Sequence, residues 1–75
     1  MSKAIERYFR LVIAQSHGWD AARSVEVIIR WVGETVEVLV PRRFVGLCIG
    51  RGGETVMAAQ RDFKVRIVVQ AIETC

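Results

Sequence analysis

Residues Val40 to Val56 contain four of the chain's six glycines, its only proline and three of its nine arginines, Arg42, Arg43 and Arg51. These types at this spacing suit the holding of an anion rather than covalent chemistry. Glycine lets a ligand come close to the backbone, and the first N–H groups of a helix lack intrahelical acceptors and favour negative charge. Two short amphipathic patterns meet head to tail at Gly50 to Gly53, and Arg51 puts a positive charge at the tip. Covalent alternatives lack partners. Cys48 has no base beside it in the motif, and His17 is the only histidine, so neither a relay nor a metal set is complete.

Spacing separates the known kinds of glycine loop. A phosphate-binding P-loop needs Gly-x-x-x-x-Gly-Lys-Ser/Thr, and this loop has no lysine. The dinucleotide fingerprint needs a third glycine where Thr55 stands, and 75 residues cannot supply two mononucleotide-binding halves. A Gly-x-x-Gly joining two short helices remains.

The rest of the chain must position that loop. Seventy-five residues make one small domain, near the lower limit for folding without disulfides or metal. A hydrophobic content of 52% with 25% charged residues is that of a globular chain, and no apolar run approaches the roughly 20 residues of a membrane span. The start of the chain has no signal-peptide pattern, and Cys48 and Cys75 make no disulfide framework. The expectation is a cytoplasmic, non-enzymatic domain without cofactor or membrane contact. The net charge of +3 is mild, so placement matters more than total. Arg42, Arg43, Arg51, Lys64 and Arg66 point to a local basic face.

Ser2 is suited to cap a helix with the stripe Ile5, Tyr8, Phe9, Val12 and Ile13, ending at Gly18. Trp19 to Arg23 reads as a connection. Ser24 to Val32 alternates as a strand with Val25, Val27, Ile29 and Trp31 on one face, and Gly33-Glu34 makes a two-residue turn into a second strand with Val36, Val38 and Val40 inward. Pro41 ends that strand. Arg42 to Ile49 fits a two-turn helix interrupted by Gly46, a glycine explained equally by close approach of a ligand or of a neighbouring element. Val56, Ala59, Gln60 and Phe63 mark a helix over Glu54 to Asp62, and Val65, Ile67, Val69 and Ala71 alternate as a third strand. The order α-β-β-α-α-β, with two helices between the second and third strands, predicts an α+β fold. Its three-stranded sheet is mixed, with three helices on one face. The aromatic residues Phe44, Phe63, Trp19 and Trp31 are expected in the core. The opposite face carries Ile28, Val32, Leu39 and Val68, a candidate contact with a second copy or a neighbouring catalytic domain.

With Val40-Pro41, Gly46, Cys48-Ile49, Gly50-Arg51-Gly52-Gly53 and Val56 in gapless register, the stretch resembles a K-homology (KH) domain. The helix and strand before it resemble the type II, prokaryotic-like topology, so residues 1–75 read as a single KH domain. A narrower likeness is to the KH domain of archaeal ATPases that carry a PIN-type nuclease domain, which implies a domain cut from a larger protein; a stand-alone KH protein is the alternative. Two positions depart from the family pattern. Cys48 replaces an isoleucine, and Lys64 stands where glycine is common, which implies strain of roughly 1 kcal/mol if that residue is left-handed.

The resemblance implies binding of single-stranded RNA or DNA, about four nucleotides in a groove between the glycine loop and the third strand. Gly50, Gly52 and Gly53 would admit the sugar-phosphate backbone beside Arg51, with Gly46 open to close approach. Leu47 and Ile49, with Val65 or Ile67 from the facing strand, would form an apolar platform narrow enough to prefer pyrimidines. Arg42, Arg43 and Arg66 would reach outer phosphates or base edges. The competing expectation is a KH-fold protein-interaction or oligomerisation domain that uses the exposed sheet face.

Overall fold

In the computed structural model, which describes residues 1–72, the alternating valines of the two middle runs build the sheet. β1 (Ile28–Val32) and β2 (Thr35–Val40) are antiparallel and joined by the two-residue turn Gly33-Glu34, in which Gly33 has the positive φ of 60° that such turns need. β3 (Arg66–Ala71) lies parallel to β2 on its other side, so the strand order is β1-β2-β3 and the sheet is mixed as expected. Two helices, α2 (Arg42–Ile49) and α3 (Glu54–Phe63), make the crossover between β2 and β3, with one 3-10 turn (Arg51–Gly53) between them.

The first helix, α1, departs from expectation at its cap and in continuing beyond Gly18. It spans Ser2–Ser24, with Met1 rather than Ser2 at the cap position, and is broken at Gly18, whose φ of 85° and ψ of 162° belong to no helix. The Ser2 hydroxyl instead accepts a hydrogen bond of 2.9 Å from the indole N–H of Trp31. Trp19 to Arg23, read as a connection, and Ser24, read as the start of the strand, are helical. They carry no strong stripe of their own and are held from outside: Arg10 Nη1 donates to the carbonyl oxygens of Ala22 (2.6 Å) and Val25 (2.7 Å), while its Nε donates to Glu6 (2.9 Å). The strand expected from Ser24 accordingly begins only at Ile28.

Ile5, Phe9 and Ile13 of α1, Cys48 of α2 and Ala59 of α3 are fully buried with Val36, Val38 and Val40 of β2. All helices therefore cover one face of the sheet. Phe44 joins this core and Phe63 packs at its margin, but Trp19 and Trp31 are 50% and 43% exposed. Their assignment to the core fails. Trp31 stands on an inward register position, at the sheet end where only the start of α1 reaches it, and Trp19 lies beyond the break at Gly18. The other face of the sheet carries Ile28, Val32 and Val68, all exposed, around an Arg30–Glu37 ion pair that joins directly opposite residues of β1 and β2.

Candidate functional site

The glycine loop is built from three positive-φ residues within four positions: Gly50 (82°), Gly52 (64°) and Gly53 (81°). Gly50 ends α2, its N–H donating to Gly46 O at 2.9 Å, and its own carbonyl accepts from Gly53 N–H at 3.0 Å. The three are not equivalent. A Cβ on Gly50 would run into Thr55, meeting its Oγ1 and coming within 2.7 Å of its backbone nitrogen. A Cβ on Gly52 would meet nothing within 4 Å, and one on Gly53 only Met57 Sδ at 3.7 Å. Gly50 is thus fixed by the fold itself, while Gly52 leaves open space above the backbone. No side chain caps α3, which leaves N–H groups of its first turn without side-chain acceptors just beyond that space.

Charge surrounds the loop unevenly. Arg51 is exposed at the tip, and Glu54 in the first turn of α3 opposes it. Arg42 and Arg43 are exposed at the far end of α2, about 12 Å along the helix axis from Gly50. The Arg43 guanidinium sits 4.8 Å from the centroid of the Phe44 ring. Among the described residues the ion pairs are Arg10–Glu6, Arg23–Asp20 and Arg30–Glu37, so Arg42, Arg43, Arg51 and Arg66 carry charge that no carboxylate neutralises.

The expected residues fall into two groups. Gly46, Leu47, Gly50 and Arg51 border one hollow together with Tyr8, Val12, Gln15 and Ser16 of α1 and Thr55 of α3. Val65 and Arg66 border a second hollow at the end of the sheet, with Trp31, the hairpin turn and Lys64. Ile49 is half-buried at the end of α2. Ile67 turns its side chain into the core and is only 4% exposed, so it forms no apolar platform for a ligand. Its N–H donates to Gln60 Oε1 at 2.9 Å.

Two residues beside the site, Tyr8 and Gln60, carry no role in the motif. Tyr8 hydrogen-bonds to the carbonyl of Thr55, and Gln60 occupies the outer N–H of β3. Each had a signal, a polar group at a position on an otherwise apolar helical stripe. Lys64 is the one non-glycine residue with positive φ among those described, at 57° with ψ of 39°, as the pattern of glycine at this position implied.

Cys48 is fully buried, and burial pushes its thiol up to about 11, far from a reactive thiolate at neutral pH. Among the described residues no three His, Cys, Asp or Glu side chains converge on a metal position, and no helix is long and apolar enough to cross a membrane. A family model described as KH domain matches residues 35–75, more than half of the chain, taking in β2, α2, the glycine loop, α3 and β3. No curated protein and no solved structure matches the chain.

Proposed function

The chain belongs to the KH domain family, whose members generally bind nucleic acid, and from that premise we propose a non-catalytic module that holds single-stranded RNA or DNA at its glycine loop. The carrying observation is the open backbone at Gly52 and Gly53, flanked by Arg51, which has no carboxylate partner among the described residues, and by the uncapped start of α3. A sugar-phosphate backbone can lie against these glycines, with its phosphate oxygens accepting from loop and helix N–H groups and Arg51 adding attraction. Leu47, Ile49 and Val65 supply apolar margins, and Arg42, Arg43 and Arg66 reach outer phosphates. The type II arrangement is supported by α1 and β1, which precede the matched span, and by the antiparallel β1 and parallel β3 on either side of β2.

One domain neutralising about three phosphates binds weakly, at micromolar dissociation constants or above. Raising salt from about 50 to 200 mM should cost it roughly ten- to twentyfold in affinity. Tight binding then needs neighbours on the same chain or in an assembly. This suits the likeness to the KH domain of archaeal PIN-domain ATPases, where such a module would deliver a strand to a catalytic domain. A second reading, a protein-interaction or oligomerisation domain, draws on the exposed Ile28, Val32 and Val68 beside Leu39 on the bare sheet face.

The test is an NMR titration of labelled protein with pooled short single-stranded RNA and DNA at both salt concentrations. Shifts confined to Gly46 through Val56 and Val65 through Val69 support the loop reading and rank the two nucleic acids. The double variant R51D/G52D keeps its fold, because Gly52 has room for a side chain and aspartate enters the left-handed region at a cost of about 1 kcal/mol. Undiminished binding by that variant overturns the loop assignment, and no shifts at millimolar oligonucleotide favour the sheet-face reading.

A further inference from the structure

The second hollow lies at the end of the sheet, between the hairpin turn and the turn that leads from α3 into β3. Trp31, Gly33, Glu34, Thr35, Lys64, Val65 and Arg66 line it. We infer that this hollow is a second single-strand subsite, in which Trp31 stacks one base while Lys64 and Arg66 hold the adjoining phosphates, beyond the nucleotides at the glycine loop. The inference rests on the nucleic-acid reading above and adds a hollow of its own, which shares no lining residue with the one beside the glycine loop.

Three observations carry it. Trp31 is 43% exposed although its register position faces inward, and its indole N–H is engaged by Ser2 Oγ at 2.9 Å, which fixes the ring and leaves it a stacking surface rather than a donor. Lys64 holds the left-handed conformation that glycine adopts freely, so a cation is retained at a backbone position that resists any side chain. Among the described residues neither Lys64 nor Arg66 is in an ion pair, whereas Arg10, Arg23 and Arg30 are. An aromatic face beside unneutralised cations is the arrangement that holds single strands irrespective of sequence. Val65 and Arg66, which the reading above sets on the strand facing the loop, line this hollow rather than the one beside the loop, so only a strand that outruns the loop site would reach it. Glu34 is the only carboxylate in the lining, so the hollow is net positive. An acidic peptide would meet the same charge but has no flat ring to lay on Trp31.

The experiment uses the chain with W19F, so that Trp31 is the only tryptophan, titrated with uridine and thymidine homo-oligomers of four and eight nucleotides at about 50 mM salt. The eight-nucleotide strand should quench Trp31 emission and bind more tightly than the four-nucleotide strand, which should leave the emission unchanged. Read by the fluorescence anisotropy of dye-labelled strands, since the Trp31 variants hold no tryptophan, W31A should lose about tenfold in affinity for the longer strand and none for the shorter. W31F, which keeps a stacking ring but cannot bond to Ser2, should retain most of that affinity; a purely structural role of the indole would not be rescued in this way. K64E should weaken only the longer strand. If four nucleotides bind and eight gain nothing, or if W31A binds both as the parent does, the subsite falls while the loop reading stands. If neither strand binds, both fall. Quenching of Trp31 by a hexaglutamate peptide but not by the longer strand would replace the nucleic acid with a protein ligand and overturn the inference.

Discussion

The hydroxyl of Tyr8 donates a 2.9 Å hydrogen bond to the carbonyl oxygen of Thr55, joining α1 to the first turn of α3 two residues after the glycine loop. The ring is held edge-on by Phe9 at 5.0 Å and Phe63 at 5.9 Å, so the bond is aimed by packing. Y8F keeps the ring and removes the bond. It should cost about 1 kcal/mol in denaturant unfolding and speed amide exchange at Gly53 to Thr55 more than in the sheet.

The loop glycines should separate by substitution. G52A meets no neighbour and pays only for a left-handed backbone, about 1 kcal/mol. G50A adds a collision with the Thr55 backbone to a φ/ψ region that is nearly exclusive to glycine, and should cost about 3 kcal/mol or more. Thermal unfolding of the two variants checks the order, and equal losses would mean that Thr55 moves aside.

Arg10 stabilises two backbone carbonyls at once. Replacing it by methionine keeps much of the stem but leaves the Ala22 and Val25 oxygens without that donor, and should cost about 2 to 3 kcal/mol. Hydrogen exchange should place the loss in residues 19–25 first, because both of these carbonyls lie in that segment and Arg10 joins them to the first part of α1.

K64G relieves left-handed strain of about 1 to 2 kcal/mol but adds roughly 0.5 to 1 kcal/mol of unfolded-state entropy. A net gain of up to about 1 kcal/mol in urea unfolding is expected. K64A, still left-handed, should gain nothing.

Alkaline pH should destabilise the fold through Cys48. Burial raises its folded pKa from 9.0 to about 11, so the folded chain holds the proton that the unfolded chain releases. Stability from this group is fully present below pH 9 and lost as pH rises toward 11. Tyr8, raised by burial, by nearby Asp62 and despite Arg61, acts in the same direction at higher pH. C48A should flatten the fall between pH 9 and 11 in denaturant titrations, while lowering stability at every pH through the cavity it leaves.

Local chemistry made much of this legible. Gly33-Glu34 between alternating valines announced the hairpin, and the Gly50–Gly53 punctuation announced the helix-loop-helix, because both depend on backbone conformations that few residues adopt. What escaped depends on distant partners. Residues 19–24 are helical under the hold of Arg10, which no window around Trp19 contains. Trp31 alternates correctly yet stays half in solvent, because alternation reports a face and not how far the opposing helices extend. Ile67 lies on the helix-covered side of β3 as its alternation with Val65 and Val69 implies, and its burial there leaves no side-chain surface for the groove. The glycine motif located the loop, whereas the division of its neighbours between two hollows arises only from packing.

The parallel pairing of β2 with β3 also has a consequence in time. β1 and β2 close through a two-residue turn and can pair within microseconds, whereas β3 must wait until the whole crossover from Pro41 to Val65 is in place. During synthesis the far edge of Thr35–Val40 therefore stays open after the hairpin has formed, and its valines are the stretch that a passing chain could pair with. The glycine loop sits in the middle of the segment that ends this exposure, so a substitution that slows its closure would surface as aggregation in the cell before it surfaced as a lower melting temperature.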